Sequence, residues 1–438
     1  LATQREVAAA LQRFRASGKK VVAWGAAFDQ RRYYLAAHAD EVYLHPMGAV
    51  MPMGYGRLRN YYRDAFERLG VSANVVRAGK FKNAGEPFFA SGPSPETLES
   101  EGFVYDALWK LTTEGIERAR RLPAGSLMQL IDALPGNLVE AGGSAAELAL
   151  KAKLVDGLKT RDELRALLIE RGVLDDKTKS FRQVNLAGYL AHVKDKRDGD
   201  AVAVIVAEGE IGDGIAPPGR IGGLSTAELI RRARDDEKGK AVVLRVDSPG
   251  GSAYGSELIR RELELTRAAG KPVVVSMGDL AASGGYWVSL AADELIADAA
   301  TITGSIGVFG LLPTAEGLMD KASLHVGGIG TTWLATAYDP RKPLDPRFAE
   351  LVQAAIGRIY TDFTAKAAAA RKTTPDKIDA VAQGRIWTGA QAVERGLVDR
   401  VGSLGDAIAA ARTRAGLDAD ARIDYRERAG SRLQRVIG

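Results

Sequence analysis

A serine flanked by small residues is the first candidate for chemistry in this sequence. Ser283 lies in Ala281-Ala282-Ser283-Gly284-Gly285, after an apolar segment that predicts a strand. Small neighbours leave room for a substrate at a nucleophilic hydroxyl, and they let the N–H of Gly284 approach a developing oxyanion. Serines at such positions also cap helices, and the motif alone does not separate the two roles. Ser283 is therefore a candidate nucleophile that requires an activating base.

A glycine-rich turn is the second candidate. Gly250 and Gly251 lie in Asp247-Ser248-Pro249-Gly250-Gly251-Ser252, between a predicted strand and a predicted helix. Successive glycines let backbone N–H groups point into a cleft, where they can hold an oxyanion. A tight turn without any ligand explains the same residues equally well.

The composition favours a lysine as the base that activates Ser283. The 438 residues include no cysteine and four histidines, and no histidine has the spacing of a helical metal motif. Disulfides, thiolate nucleophiles and cysteine-bound metals are thereby excluded, and we expect neither a metal nor a cofactor. A lysine kept neutral by burial is the remaining well-attested base for a serine.

Charge and hydropathy exclude further classes. The net charge of +5 is dispersed, without a Lys/Arg run interleaved with aromatic residues, so we expect no nucleic-acid partner. The longest apolar run, residues 201–207, is far shorter than the roughly 20 residues of a membrane helix. The chain begins Leu-Ala-Thr-Gln, and we expect that any targeting segment was removed or belongs to a longer chain.

The two halves of the chain resemble one another. The matched segments are Gly18-Lys19 with Gly270-Lys271, Ala39-Asp40-Glu41 with Ala292-Asp293-Glu294, and Leu154-Val155-Asp156 with Leu397-Val398-Asp399. We therefore predict a tandem duplication: an N-terminal repeat at 1–174 that is truncated at its start, a polar linker at 175–198, and a C-terminal repeat at 199–438.

Alternating elements over residues 199–300 predict the fold class. The predicted strands are 201–207, 240–246 and 272–276, and the predicted helices are 225–234, begun by a capping box at Ser225, and 256–269. Strands that alternate with helices in this way indicate a parallel sheet with crossover helices, so the fold class is α/β.

Each half lacks one member of a possible serine–lysine pair. Ser283 falls opposite Gln30, so the first half has no serine at that position. Lys82 falls opposite Ala335, in a stretch where the second half has no lysine before Lys342. A duplicated pair from which each copy lost one member would look like this, and Lys82 is therefore a candidate base.

Three ordered motifs resemble the signal peptide peptidase A (protease IV) family in its long, tandem-repeat form. They occupy residues 244–252, 276–287 and 303–310, and the similarity extends to 79–88 and 384–389. The resemblance implies two tandem crotonase/Clp-protease-like β-β-α superhelix domains. It also implies a serine endopeptidase with these site residues: Ser283 as nucleophile, Lys82 as general base, Gly284, Gly250 and Gly251 as oxyanion hole, and Ser305 as the residue that orients the lysine.

The family resemblance also supplies expectations about substrate and location. It implies that the substrates are remnant signal peptides and other unfolded hydrophobic peptides, and that the chains form a homo-oligomer, a tetramer around a cavity. It further implies a bacterial inner-membrane protein that faces the periplasm, held by an N-terminal anchor that this chain lacks. Lys80 is a rival base whose register matches less well. Whether Lys82 meets Ser283 within one chain or between chains stays open.

Two other functions compete with this interpretation. A crotonase-like acyl-CoA enzyme would share the repeated fold and the backbone oxyanion hole, but it would need catalytic carboxylates and features that bind coenzyme A. A membrane-associated scaffold would use Ser283 only as a helix cap. Apolar Phe81, Phe88 and Phe89 are expected to desolvate Lys82 if it is the base.

Overall fold

The structure is a computed structural model that describes residues 1–193, 198–217 and 219–427. Residues 194–197 of the predicted linker, and 218 and 428–438 of the predicted C-terminal repeat, lie outside the described residues. The strands are β1 (Val22–Gly25), β2 (Phe28–Asp29), β3 (Glu41–Leu44), β4 (Val50–Met51), β5 (Ser72–Ala78), β6 (Gly157–Leu158), β7 (Leu174–Asp175), β8 (Ser180–Phe181), β9 (Ala201–Glu208), β10 (Ile211–Gly212), β11 (Ile221–Gly222), β12 (Gly239–Ser248), β13 (Val273–Ala282), β14 (Glu294–Ala297), β15 (Ile302–Gly304), β16 (Val308–Thr314), β17 (Ile386–Thr388), β18 (Arg400–Val401) and β19 (Arg422–Arg426).

Helices form most of the remaining regular structure. They are α1 (Ala2–Ala16), α2 (Gln30–Ala36), α3 (Arg63–Leu69), α4 (Glu86–Phe89), α5 (Pro95–Arg120), α6 (Ser126–Asp132), α7 (Leu134–Glu140), α8 (Ala145–Lys151), α9 (Arg161–Arg171), α10 (Leu186–His192), α11 (Gly223–Asp235), α12 (Ala253–Ala268), α13 (Gly284–Ser289), α14 (Glu316–Lys321), α15 (Pro346–Ala370), α16 (Pro375–Asp379), α17 (Gly389–Glu394) and α18 (Leu404–Arg414), with a 3₁₀ turn at Trp333–Thr336. Within the described residues, no helix is long and apolar enough to cross a membrane.

The chain forms two compact units that do not follow chain order. Unit 1 consists of Leu1–Gly56 and Asp106–Asp198, and unit 2 consists of Arg57–Tyr105 and Gly199–Gly438. The predicted boundaries at 174 and 199 rest on internal similarity rather than on compactness, and they stay a prediction.

Unit 2 is built on a largely parallel sheet with the strand order β17-β15-β13-β12-β9-β19. Strand β12 pairs in parallel with β9 on one side and with β13 on the other. Residues 201–205 of β9 are fully buried, because a parallel sheet is covered by helices on both faces. The predicted fold class, α/β, is confirmed.

The two faces of this sheet bury alternate residues of each strand. Ala203 and Ile205 pack with residues of α11 and α12, whereas Val202 and Val204 pack with α18. This alternation follows from the two-residue period of a strand. The sheet thus lies between helices on both of its faces.

The predicted elements of unit 2 are present with shifted ends. The strands extend to Glu208, Ser248 and Ala282, and the second helix begins at Ala253. The predicted capping box is wrong. Helix α11 begins at Gly223, because the N–H of Leu224 donates to the carbonyl oxygens of Asp213 and Gly214. Ser225 therefore lies inside the helix, where its hydroxyl donates to the carbonyl oxygen of Gly222.

Equivalent hydrogen bonds occur in both units. The equivalent pairs are Tyr33 Oη to Leu154 O (2.6 Å) with Tyr286 Oη to Leu397 O (2.8 Å), and Val21 N to Asp40 Oδ2 (2.9 Å) with Val273 N to Asp293 Oδ2 (2.8 Å). Unit 1 repeats the strand pairing as well, because β1, β3 and β6 form a parallel sheet like that of β13, β14 and β18. These correspondences support the tandem duplication.

One segment of the first half is part of unit 2. Strand β5 pairs antiparallel with β16, from Ser72 opposite Thr314 to Ala78 opposite Val308. This pairing places residues 79–89, which follow β5, beside elements of the second half. The sheet and this added strand pair together position the candidate site.

Candidate active site

Ser283 lies between the end of β13 and the start of α13. Its backbone has φ +55° and ψ −118°, a sparsely populated conformation outside the left-handed helical region that costs a residue other than glycine about 1–3 kcal/mol. The N–H of Ser283 donates to Gly304 O at 2.8 Å, and its carbonyl accepts from Trp287 N at 2.9 Å. Although Ser283 occupies the N-cap position of α13, its side chain makes no capping hydrogen bond. The hydroxyl is therefore free to act elsewhere.

Lys82 reaches that hydroxyl from the loop between β5 and α4. Its Nζ lies 2.9 Å from Ser283 Oγ, 2.9 Å from Ser305 O and 3.0 Å from Ser305 Oγ. The side chain is 7% exposed, and within the described residues no carboxylate forms an ion pair with it. Burial lowers the pKa of Lys82 from its ordinary 10.5 to about 8, because the ammonium loses its hydration.

Ser305 holds the amine from the opposite side. It also has a positive φ, +52°, and its N–H donates to Arg385 O at 2.7 Å. This conformation turns both its carbonyl and its hydroxyl towards Lys82. Lys82, Ser283 and Ser305 thus meet within one chain and one compact unit.

The glycine turn lies beside Ser283 because β12 and β13 are parallel neighbours. Their carboxyl ends meet at one edge of the sheet, which is where sites form in such folds. Gly250 has φ +102°, and a Cβ there would lie 2.6 Å from Gly284 N. A side chain at this position would therefore close the site.

The three predicted oxyanion donors differ in their hydrogen bonding. The N–H of Gly250 donates to Ser248 Oγ at 3.1 Å. Within the described residues, the N–H groups of Gly251 and Gly284 donate no hydrogen bond to the protein. A Cβ on Gly284 would lie 3.2 Å from Gly251 N, so the two free donors are close to each other and to Ser283.

A cavity of about 600 Å³ opens onto these residues. Apolar side chains make up part of its wall: Phe81, Val308, Phe309, Ile359 and Phe363. Charged side chains make up another part: Arg57, Arg59, Glu101 and Glu210. The cavity can thus hold a peptide with both apolar and polar contacts.

The aromatic residues expected around Lys82 have different positions. Phe81 lines the cavity together with Lys82. Phe88 stacks instead on Tyr62 and Phe66, and Phe89 is partly exposed beside Arg77. The rival base, Lys80, is exposed, and its Nζ lies 4.8 Å from the centre of the Phe81 ring.

Sequence reasoning missed a buried polar network behind Lys82. Asn83, the next residue, donates to Thr97 Oγ1 at 2.7 Å and accepts from Arg77 Nη1 at 2.6 Å. Glu86 accepts from Thr97 Oγ1 at 2.7 Å and from Ser94 N at 2.9 Å. The sequence feature that could have indicated this network is the pair of polar residues Asn83 and Glu86, which lie in the segment 79–88 that resembles the family.

Sequence reasoning also missed Asp247 as a link between the two motif strands. Its carboxylate accepts from Leu280 N at 3.1 Å and from Asp279 N at 3.4 Å. Burial, followed by the nearby charge of Asp279, raises the pKa of Asp247. The link ties the strand before the glycine turn to the strand before Ser283.

A buried lysine against a serine, beside free backbone N–H groups, is typical of serine hydrolases that use a lysine as base. Comparison with known proteins assigns the chain to a peptidase family. Residues 13–172 and 266–418 match Peptidase family S49, and the chain belongs to that family. The two matched segments confirm the predicted tandem arrangement.

The named relatives of this chain are also proteases or peptidases. The chain is 40% identical to Protease 4 from Salmonella typhi, over 93% of this chain and 66% of the relative. It is 33% identical to the chloroplastic serine protease SPPA from Arabidopsis thaliana, over 92% of this chain and 60% of the relative. A putative signal peptide peptidase SppA from Enterococcus faecium is 31% identical over 41% of this chain and 52% of its own length. The matched part of the chain thus spans between 52% and 66% of the length of these relatives.

Solved structures show weaker similarity. A ClpP1 mutant from Listeria monocytogenes has a TM-score of 0.32 and 13% identity, over 47% of this chain and 94% of its own. A mutant of a membrane-bound stomatin-specific protease has a TM-score of 0.32 and 12% identity, over 54% of this chain and 100% of its own. TM-scores this low add nothing to the family assignment.

Proposed function

We propose that this chain is a serine endopeptidase in which Ser283 is the nucleophile and Lys82 is the general base. The observation that carries the proposal is the 2.9 Å separation of Lys82 Nζ and Ser283 Oγ, at a buried lysine whose pKa is lowered to about 8. A general base is most effective when its pKa lies near the working pH. An ordinary surface lysine would remain protonated and could not accept the serine proton.

The three neighbours of the amine match the three bonding positions of a neutral lysine. A neutral amine has two N–H bonds and one lone pair. Ser305 offers two acceptors, its carbonyl and its hydroxyl oxygen, at 2.9 and 3.0 Å. With both N–H bonds directed to Ser305, the lone pair faces the Ser283 hydroxyl. Ser305 therefore orients the base.

The reaction follows from these positions. Lys82 takes the hydroxyl proton while Ser283 Oγ bonds to the peptide carbonyl carbon, and the N–H groups of Gly284 and Gly251 stabilise the oxyanion. The C–N bond then breaks, and the Lys82 ammonium protonates the leaving amine. Lys82 next takes a proton from water, which attacks the acyl-enzyme. The C–Oγ bond breaks and Ser283 regains its proton. Gly250 shapes the turn that presents Gly251.

We further propose that the substrates are unfolded hydrophobic peptides, including remnant signal peptides. The apolar wall of the cavity supports this, as does the name of the Enterococcus faecium relative, a signal peptide peptidase. The family resemblance extends the proposal to a homotetramer. It also extends it to the periplasmic face of a bacterial inner membrane. Light scattering of the purified chain tests the tetramer, and fractionation of cells that express the protein tests the location.

Cleavage of casein and of a synthetic signal peptide tests the catalytic proposal. Ser283→Ala and Lys82→Ala should each lower the rate by about 10³-fold or more, whereas Lys80→Ala should retain it. A fluorophosphonate should label the unaltered chain and the Lys80→Ala variant, but not Ser283→Ala. Full activity in Lys82→Ala, or its loss in Lys80→Ala, would contradict the assignment of the base.

A further inference from the structure

A short turn after α16 contacts the loop that holds Lys82 and the loop that holds Ser305. In this turn, Gln383 O accepts from Phe81 N at 2.7 Å, next to Lys82 in sequence. Gly384 N donates to Ile306 O at 2.7 Å, next to Ser305. Gln383 and Gly384 therefore connect the loop of the base to the loop that orients it.

The side chain of Gln383 adds a second link to the same loop. Its Oε1 accepts from Lys80 N at 3.3 Å, and its Nε2 donates to Asp379 Oδ1 at 2.7 Å. The backbone N–H of Gln383 donates to Tyr360 Oη at 3.2 Å, and Tyr360 itself donates to Asp379. Gln383 thus joins the backbone on the N-terminal side of Lys82 to helices α15 and α16.

The backbone of this turn is tightly fitted against Lys82. Gln383 has φ +53° and Gly384 has φ +79°. A left-handed glutamine costs about 1 kcal/mol, so its surroundings must hold it there. A Cβ on Gly384 would lie 2.5 Å from Lys82 N and 2.7 Å from Lys82 Cα. The turn is therefore packed directly on the backbone from which the amine extends.

We propose that Gln383 is a positioning residue that fixes the Lys82 amine between Ser283 and Ser305. The inference rests on the proposed role of Lys82 as base. A lysine side chain has four rotatable carbon–carbon bonds, so its amine stays in place only while its backbone is anchored. Displacement of a catalytic group by about 1 Å can cost about 10²-fold in rate. Gln383 anchors the two residues before Lys82 without touching the reacting atoms.

The test uses Gln383→Met, which keeps the length of the side chain but removes both of its polar contacts. Casein cleavage should show a fall in kcat of about 10-fold or more, with KM within about twofold. The acid limb of the pH–rate profile should move upwards by about one pH unit, because a loosened amine regains water and its pKa returns towards 10.5. The rate of fluorophosphonate labelling of Ser283 should show the same displacement.

Lys372→Ala is the matched control. Lys372 is also a left-handed residue other than glycine, with φ +50°, but it is exposed at the end of α15. The control should retain kcat and the pH profile. A Gln383→Met variant with unchanged kcat, or with lower kcat and an unmoved acid limb, would overturn the positioning role.

A second variant covers the case in which Gln383→Met does not fold. Gly384→Ala presses on the Lys82 backbone instead of removing a hydrogen bond, and it should also displace the acid limb. An unmoved limb in this variant would overturn the inference. Lys82→Ala in the same series separates the two proposals. If Lys82→Ala is fully active, the proposed function fails. If it is inactive while the turn variants behave like the unaltered chain, only the role of Gln383 fails.

Discussion

Ser305 accepts two hydrogen bonds from the Lys82 amine, one at its carbonyl oxygen (2.9 Å) and one at its hydroxyl oxygen (3.0 Å). One residue provides both acceptors because its backbone adopts φ +52°, which turns the carbonyl and the side chain to the same side. This arrangement fixes two of the three bonding directions of the amine. The third direction faces Ser283.

Ser305→Ala should lower kcat by about 10–100-fold and leave KM nearly unchanged. The variant removes one acceptor while the carbonyl oxygen remains, so the amine can rotate away from Ser283 without leaving the site. The effect should be smaller than the roughly 10²–10⁴-fold that general-base catalysis contributes as a whole. Steady-state cleavage of casein measures it.

Ser323→Ala is the control for this variant. Ser323 is also left-handed, with φ +57°, and it is exposed. Both substitutions change a serine in the same backbone conformation, but only Ser305 touches Lys82. Equal losses of activity in the two variants would show that a backbone effect, and not the contact with the amine, is responsible.

Lys82→Met should abolish activity without destabilising the protein at pH 7. A pKa lowered from 10.5 to about 8 corresponds to a penalty of about 3 kcal/mol for carrying the charged lysine in the fold. Methionine removes this penalty, less about 1 kcal/mol for each lost hydrogen bond. Three hydrogen bonds are lost, so the two terms nearly cancel, and the free energy of unfolding at pH 7 should change by less than about 1 kcal/mol, measured by urea denaturation.

The difference in the free energy of unfolding between Lys82→Met and the unaltered chain should change with pH in one direction. Between pH 8 and 10.5 the unfolded chain binds more protons at Lys82 than the folded chain does, so the stability of the unaltered protein rises with pH in that window. Relative to the unaltered chain, Lys82→Met should therefore be as stable below pH 8 and become less stable, by up to about 3 kcal/mol, as the pH approaches 10.5. Exposed Lys80→Met serves as the control and should show no such trend. A constant difference across the window would contradict a depressed pKa at Lys82.

The sequence predicted the strands of the sheet and both members of the candidate pair. Apolar runs mark the buried strands around Ala203 and Val243, and small residues mark the turn at Ser283. The comparison of the two halves singled out Lys82 because its counterpart is Ala335. Periodicity, turn chemistry and internal similarity were sufficient for these features.

The sequence did not predict how residues 57–105 reach the second half. Their place in unit 2 depends on the pairing of β5 with β16, between strands more than 200 residues apart in the chain. The contact of Gln383 with Phe81 depends on the same pairing. Long-range register of this kind leaves no local pattern, so neither contact was accessible before the structure.

Gly250→Ala should abolish peptidase activity. A Cβ at this position would lie 2.6 Å from Gly284 N and 2.8 Å from Ser283 Cβ, so it would displace a proposed oxyanion donor and the proposed nucleophile together. Loss of one oxyanion donor alone costs about 10²–10³-fold in kcat. Fluorophosphonate labelling and casein cleavage should therefore both fall by at least this factor.

Gly270→Ala provides the comparison for Gly250→Ala. Gly270 has φ +84°, and a Cβ there meets no atom within 4 Å. Both variants carry the left-handed penalty of about 1 kcal/mol, but only Gly250→Ala introduces a collision in the site. Gly270→Ala should lose some stability and keep its activity. Substantial activity in folded Gly250→Ala would show that the turn does not contribute to the site.

The ion pair between Arg59 and Glu101 in the cavity wall should contribute to stability more than a surface pair does. Their side chains are only 13% and 19% exposed, so removal of one partner leaves the other charge poorly hydrated. Glu101→Gln should lower the free energy of unfolding by about 2–4 kcal/mol. In a double-mutant cycle, the combined variant Arg59→Met/Glu101→Leu should cost less than the sum of Arg59→Met and Glu101→Leu measured separately.

A double-mutant cycle on the exposed pair Arg231 and Glu228 is the control. Their side chains are 52% and 37% exposed, and the coupling free energy between them should be about 0.5 kcal/mol or less. Equal couplings in the two cycles would contradict the role of burial in the Arg59–Glu101 pair.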